Sequence, residues 1–225
     1  GYEILGELGR GGMGVVYLAW QHSLERNVAL KLFLGGRHAR PQDWERFTAE
    51  ARVIARLEHP NIVRIHEIGW HDDEPYMALE HIDGPDLADA LGGKPIPSHD
   101  AAILTETLAR AIHEAHLRGV IHRDLKPSNI LLAGPADRPL ARRVPKIADF
   151  GLARRLDAEN QRTGSNAIVG TPSYMAPEQA RGQSHAAAAT VLRYVSENYR
   201  LESRVIRNRR ANLHDVTLPQ RTLDA

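Results

Sequence analysis

The sequence predicts an α+β fold in which a small β-rich first part carries one main helix and the second part is mainly helical. Up to about residue 82, short apolar runs such as GVVYLAW and NVALKLFL are bounded by Gly, Asn or Pro, which is typical of strands. Residues 41–59 instead repeat their apolar side chains every three to four positions after Pro41, as amphipathic helices do. The longest pattern after residue 82 is again helical, over residues 99–119.

Five strands are expected in the first part, at residues 2–9, 14–20, 27–34, 62–70 and 75–82. In the second part we expect an apolar helix side formed by Ile103, Leu104, Leu108, Ala111, Ile112 and Leu117. Two short apolar runs between residues 129 and 149 flank a loop with proline and arginine, which indicates a hairpin. We divide the chain into residues 1–82, 83–182 and 183–225, the last being a tail with one or two helices.

The composition indicates a globular protein whose partner must be found from local features. Of the 225 residues, 42% are hydrophobic, which is enough for a sizeable core. The sequence has 29 Lys and Arg and 28 Asp and Glu, so its charges nearly cancel. The overall charge therefore gives no reason to expect nucleic acid as a partner. The absence of cysteine excludes disulfides and cysteine nucleophiles and suits a reducing compartment.

The ends of the sequence and its apolar runs bear on location. We find no leader and no apolar run of roughly 18 residues, so no membrane segment is expected and the cytoplasm is the default location. The opening stretch GYEILGELG looks like the first strand of a domain cut from a longer protein, which leaves room for a membrane-anchored parent.

A glycine cluster lies between the first two predicted strands. Gly9, Gly11 and Gly14 precede Val16, and glycines let a hairpin backbone approach phosphates with its N–H groups. Most short glycine clusters are only turns. The segment that follows is strand-like, so a phosphate-covering loop fits better than a dinucleotide-binding turn.

Lys31 lies inside an apolar strand. A lysine in a strand usually faces solvent, but the flanking Leu30 and Leu32 indicate a cleft, where the ammonium group needs an anion. Glu50 on the predicted helix is its natural partner. Without Lys31, Glu50 would be interpreted as one more exposed carboxylate.

The stretch HRDLKPSN contains several side chains that can bind or react with a charged ligand. Asp124 can accept a proton from a hydroxyl, Lys126 can neutralise a phosphoryl group, and Asn129 offers an oxygen suited to Mg²⁺. The alternative for Asp124 is a surface turn, and for His122 we prefer a structural role. Further on, Asp149 precedes Phe150 and a glycine, and its carboxylate suits a hard cation, although such a sequence is ordinarily a turn.

These motifs occur in the order found in protein kinases. The glycine loop, the VALK strand, Glu50, HRD through Asn129, the DFG sequence at residues 149–151 and the APE sequence at residues 176–178 together resemble a bacterial Hanks-type serine/threonine protein kinase catalytic domain. The resemblance covers about residues 1–182. It implies a two-lobed protein-kinase-like fold, ATP and Mg²⁺ as cofactors, and protein serine or threonine side chains as substrates, this chain's own included.

The resemblance implies a role for each matched residue. The glycine loop would cover the ATP phosphates, and Lys31 would hold the α- and β-phosphates while paired with Glu50. Asp124 would be the catalytic base, and Lys126, typical of serine/threonine specificity, would stabilise the γ-phosphate. Mg²⁺ would be held by Asn129 and Asp149.

Adenine recognition and activation are implied in the same way. The adenine contacts would be Val16, Ala29 and Leu131, with Leu79 as gatekeeper and the backbone of Glu80 and Ile82 as hinge. Arg123 would pair with a phosphorylated activation loop, in which Thr163 and Ser165 are candidate phosphosites and Thr171 hydrogen-bonds Asp124 and Lys126.

The resemblance ends near residue 182. No Asp-x-Trp or Asp-x-Tyr element follows, so we expect a C-terminally truncated kinase with an incomplete helical lobe and an unrelated tail. Three hypotheses remain open: a serine/threonine kinase, a nucleotide-binding or interaction module without turnover, and an unstable fragment.

Overall fold

The computed structural model describes residues 1–11, 14–33, 41–72, 74–135, 137–150 and 174. Within them the chain forms two lobes, a β-rich first lobe with one main helix and a second lobe with helices and a small hairpin. This arrangement confirms the predicted fold class.

The first lobe is a five-stranded antiparallel sheet with strand order β1-β2-β3-β5-β4. Its strands are β1 (Tyr2–Gly11), β2 (Gly14–Gln21), β3 (Arg26–Phe33), β4 (Ile65–His71) and β5 (Glu74–Glu80). All five predicted strands are present. The last begins and ends within two residues of its predicted bounds, whereas β4 begins three residues later than expected.

Helix α1 (Pro41–Ala55) covers one face of this sheet. Its side chains Trp44, Phe47 and Ile54 are buried, and the Phe47 ring lies 4.9 Å from the ring of Phe33 on β3. The three-to-four spacing that predicted the helix therefore also identifies the face that packs on the sheet. The helix was predicted to end just before His59, and it ends three residues earlier than that, at Ala55.

A polar network lies on the sheet between its first strand and its last two. The Tyr2 and Tyr76 hydroxyls both donate to the Glu67 carboxylate over 2.6 Å. Burial, followed by the hydrogen bond to Glu67, raises the pKa of Tyr76 to about 12. The network joins β1 through side chains to β4 and β5, whereas its backbone ladder is with β2.

The second lobe contains α2 (Leu87–Leu91), α3 (Ser98–Leu117), β6 (Ile130–Ala133) and β7 (Val144–Ile147). Short 3₁₀ turns lie at Pro127–Asn129 and Leu140–Arg142. Strands β6 and β7 pair antiparallel, which confirms the predicted hairpin. The sequence did not predict α2, because five residues are too few to show a helical period. Its ends carry local signals: Asp86 accepts the Asp89 N–H over 2.8 Å, and Gly92 closes the helix in the left-handed conformation.

The buried stripe of α3 differs in part from the predicted one. Leu108, Ala111 and Ile112 are buried as expected, but Ile103 and Leu117 are 43% and 68% exposed. Burial instead continues through Ala101, Thr105 and Ala115. The Thr105 hydroxyl donates to the Ala101 carbonyl over 2.6 Å, and an apolar count alone does not select alanine or threonine as buried residues.

One hydrophobic core extends through both lobes. Phe47 and Ile62 from the first part belong to the same buried cluster as Leu108 and Ile147 from the second. Ile62 also forms a parallel bridge with Ile147, so backbone hydrogen bonds join the lobes beside the core. In the described ranges, no helix is both long and apolar enough to cross a membrane.

Candidate active site

One face of the sheet collects the residues predicted to hold a base. Val16 pairs with Lys31, and Ala29 pairs with Leu79, across neighbouring strands. Paired residues share a face, as do residues two apart on a strand, so all four lie on the same side. Val16, Ala29 and Leu79 are half-buried, while Lys31 is 8% exposed. The arrangement is an apolar surface with one ammonium group at its edge.

The glycines of the loop differ in the space that the fold leaves for a side chain. Gly14 has φ of 157°, and a Cβ there would lie 2.1 Å from the Leu32 carbonyl oxygen, so β3 leaves no room for a side chain. A Cβ on Gly9 or Gly11 would meet no atom within 4 Å. Packing explains Gly14, whereas the open space at Gly9 and Gly11 is compatible with a ligand beside the backbone.

Lys31 and Asp149 meet across the two lobes. The Lys31 Nζ atom lies 2.5 Å from Oδ1 of Asp149, which follows β7 in the second lobe. The Lys31 side chain is 9% exposed, and that of Asp149 is 45% exposed. Asp149 takes a left-handed φ of 54°, which turns its carboxylate back toward β3. A buried amine thus has its anion, and one edge of that anion remains open to solvent.

The pairing of Glu50 differs from the prediction. Its carboxylate Oε1 lies 3.5 Å from Nη1 of Arg123, while the ammonium group of Lys31 is paired with Asp149. Arg123, at φ of 63°, directs its guanidinium toward α1. The sequence analysis paired Lys31 with Glu50 and, from the resemblance, Arg123 with a phosphorylated activation loop. The observed pairs depend on backbone angles in two loops, which no sequence pattern reports.

Asp124 is held among polar neighbours at the start of the predicted catalytic stretch. Its Oδ2 lies 3.3 Å from Lys126 Nζ and 3.4 Å from Asn129 Nδ2. The same Nδ2 donates to the Asp124 carbonyl over 2.8 Å. The Asp124 side chain is only 9% exposed. These contacts fix its orientation, with one carboxylate oxygen between the Lys126 ammonium group and the Asn129 amide.

The His122 ring holds this stretch through hydrogen bonds to the backbone. The ring is 3% exposed, its Nε2 lies 2.8 Å from the Ala148 carbonyl oxygen, and its Nδ1 accepts the Asp124 N–H over 3.3 Å. Because a carbonyl oxygen only accepts, Nε2 carries the proton and Nδ1 does not, which is the neutral form. Histidine here orients Asp124, in keeping with the structural role preferred from the sequence.

Asn129 and Asp149 lie at the same end of the β6–β7 hairpin. Ile130 pairs with Ile147 and the Ala148 N–H donates to the Asn129 carbonyl over 2.8 Å, so Asn129 lies opposite Ala148, the residue before Asp149. The Asn129 amide nitrogen is used as a donor, which leaves Oδ1 as the acceptor, and Asp149 contacts Lys31 through one oxygen. Two oxygen ligands at neighbouring positions fit the chemistry of Mg²⁺.

The predicted hinge lies where β5 leaves the sheet. Glu80 ends β5, half-buried Ile82 follows, and Leu131 lies on β6 opposite Asp86. A Cβ on Gly84 would lie 2.0 Å from the Leu132 carbonyl oxygen, so the connection runs tightly over the hairpin.

Sequence reasoning missed Lys146 at this junction. Its Nζ lies 2.8 Å from Oε1 of Glu80. A lone lysine in an apolar strand, the pattern that drew attention to Lys31, was the available signal.

The predicted activation segment lies outside the described residues. Gly151, the candidate phosphosites Thr163 and Ser165, Thr171 and the APE sequence at residues 176–178 all belong to it. Their implied roles stay predictions.

Comparisons with known proteins identify the family of the chain. A model of the protein kinase domain matches residues 2–192. The serine/threonine-protein kinase pkn2 of Myxococcus xanthus is 40% identical over 183 residues, which cover 80% of this chain and 22% of that protein. The serine/threonine-protein kinase PknJ of Mycobacterium tuberculosis is 40% identical over 187 residues, 81% of this chain and 30% of that protein.

A solved structure is similar as well. The crystal structure of the Mycobacterium tuberculosis PknI kinase domain aligns with a TM-score of 0.66 and 27% identity, covering 88% of this chain and 72% of that one. The chain thus spans less than a third of the length of the curated relatives named above but most of a kinase domain. The chain belongs to the protein kinase domain family, and the relatives it resembles are bacterial serine/threonine-protein kinases.

Proposed function

We propose that this chain transfers the γ-phosphate of ATP to serine or threonine hydroxyls of proteins. The observation that carries the proposal is the contact between Lys31 of the first lobe and Asp149 of the second, beside Asp124 and Asn129. Family membership and the names of the relatives support the same activity. Since ATP is the phosphate donor, we place the reaction in the cytoplasm.

The apolar sheet face and the hinge would hold the base. Val16, Ala29 and Leu79 offer one side of a slot, and Leu131 on β6 would close it from the second lobe. The backbone of Glu80 and Ile82 would supply hydrogen bonds to the edge of adenine.

Lys31 and the oxygens of Asn129 and Asp149 would hold the phosphates. Phosphate oxygens carry the negative charge that the buried Lys31 ammonium group needs, so a nucleotide could share Lys31 with Asp149. Bound Mg²⁺ would neutralise charge on the transferring group, with Asn129 and Asp149 as its protein ligands.

Asp124 would orient the attacking hydroxyl and accept its proton. Its position between Lys126 and Asn129 fixes the carboxylate before substrate arrives, which is the positioning that phosphoryl transfer requires. Lys126 would then lie within reach of the transferring phosphoryl group and stabilise its charge.

The direct test measures phosphate transfer from ATP labelled at the γ-position, in the presence of Mg²⁺, to a generic protein and to the chain itself. We expect incorporation by the wild type and its loss in Lys31→Met and Asp149→Ala. Arg110→Gln, which alters an exposed residue of α3, is the matched control and should label normally. Labelling that persists in both site variants would disprove the proposal.

A second candidate function is a nucleotide-binding module without turnover. The observation in its favour is that the Glu50 carboxylate contacts Arg123 and not Lys31, in contrast to the Lys31–Glu50 pair that the resemblance implies. This module would show a higher melting temperature with Mg²⁺-ATP but no labelled product. Turnover by the purified chain would rule it out.

A further inference from the structure

A part-buried ion pair joins β7 to the end of β5. The Lys146 Nζ atom lies 2.8 Å from Oε1 and 2.9 Å from Oε2 of Glu80, so the amine contacts both carboxylate oxygens. The two side chains are only 15% and 30% exposed. Such a pair is less screened by water and salt than the surface pairs of the same chain.

Glu80 is further fixed by the segment that enters β4. Its Oε2 accepts the Arg64 N–H over 3.2 Å, and its own N–H donates to the Arg64 carbonyl over 2.9 Å. The carboxylate therefore bridges Arg64 and Lys146. Through it, the last residue of β5 is tied to β7 of the other lobe.

Strand β7 is tied to the first lobe in two further ways. The Ile147 N–H donates to the Asn61 carbonyl over 2.8 Å, and its carbonyl accepts the Val63 N–H over 2.9 Å. Two residues later, Asp149 contacts Lys31. One short segment thus connects the end of the site predicted for adenine with the end predicted for the phosphates.

We propose that Lys146 is a positioning residue for nucleotide binding, acting through Glu80. The ion pair holds the backbone of Glu80, expected at the edge of adenine, at a fixed spacing from Asp149, expected at the phosphates. Loss of the pair would let the two ends shift relative to each other. The consequence is weaker nucleotide binding and a higher KM for ATP, with kcat nearly unchanged. This inference rests on the proposed function.

The test compares Lys146→Gln, Glu80→Gln and the double variant by calorimetric titration with Mg²⁺-ADP and by the KM for ATP. Each single variant should weaken nucleotide binding by about 5- to 10-fold, a coupling within the range of contacting residues. The double variant should be no weaker than the weaker single variant, because both changes break one interaction. Lys146→Arg, which keeps the charge, should restore most of the affinity.

Arg110→Gln is the control, because it breaks an exposed pair with Glu106 of 2.9 Å and should leave nucleotide binding unchanged. Thermal unfolding of each variant separates loss of folding from loss of affinity, and Glu80→Gln serves if Lys146→Gln fails to fold. Unchanged affinity in both single variants, additive losses in the double, no rescue by arginine, or a fall in kcat alone would overturn the inference. If the wild type binds and transfers phosphate, those results leave the proposed function standing. A wild type that binds no nucleotide would overturn both.

Discussion

At the residue scale, the site consists of a few charged groups whose partners are set by backbone angles. Arg123 and Asp149 both adopt left-handed φ values, 63° and 54°, which are costly for residues with a side chain. In return, the guanidinium of Arg123 meets Glu50 and the carboxylate of Asp149 meets Lys31. Two loops therefore decide which carboxylate faces the cleft.

The role of Asp124 gives a prediction at this scale. Asp124→Asn keeps the shape of the side chain but cannot accept a proton, so kcat should fall about 10²- to 10⁴-fold. The Kd for Mg²⁺-ADP should change little, since the role proposed for Asp124 is toward the attacking hydroxyl and not toward the nucleotide. Steady-state kinetics and nucleotide titration measure the two quantities. Asp72→Asn, at a side chain that is 86% exposed, is the control. Equal losses in affinity and kcat would place Asp124 in nucleotide binding instead.

Residue types at the site could be predicted from the sequence, but their partners only in part. Charged or amide groups flanked by apolar runs need a polar partner, and this setting distinguishes Lys31, Asp124, Asn129 and Asp149 in the sequence. The Lys31–Asp149 contact joins positions far apart in the chain and depends on a left-handed residue, which no local pattern encodes.

At the element scale, two hairpins set the relative positions of the site residues. Strands β2 and β3 align Val16 with Lys31, and beyond β6 and β7 Asn129 lies opposite Ala148, the residue before Asp149. Short apolar runs bounded by turn residues predicted these strands. Helix α2 was missed, since its signals are a capping aspartate and a closing glycine rather than a period.

The glycine loop gives a matched pair of variants at this scale. Gly14→Ala places a Cβ 2.1 Å from the Leu32 carbonyl oxygen at a φ unfavourable for alanine, so it should lower the free energy of unfolding by about 1–3 kcal/mol. Gly9→Ala meets open space and should leave that free energy unchanged within about 0.5 kcal/mol. Denaturant unfolding of both variants checks this. Equal destabilisation, or a stable Gly14→Ala, would show that the loop packs differently.

At the scale of the whole molecule, function depends on how the lobes are joined. Ile62 pairs with Ile147, Lys146 pairs with Glu80, and the Arg118 guanidinium donates to the Arg56 carbonyl over 3.1 Å behind the cleft. A shared core and these contacts hold Lys31 and Asp149 within reach of a single ligand. The two-part pattern of strands and helices predicted the lobes, but the contacts between them required the structure.

The central claim is that Lys31 and Asp149 act on the same bound triphosphate. Its most direct measurement is the affinity for ATP with Mg²⁺ and with the metal removed by a chelator, in the wild type, Lys31→Met and Asp149→Asn. We expect Mg²⁺ to strengthen binding in the wild type, Asp149→Asn to lose that enhancement, and Lys31→Met to bind weakly in both conditions. Affinities equal to the wild type in both variants, with the metal dependence intact, would contradict the account.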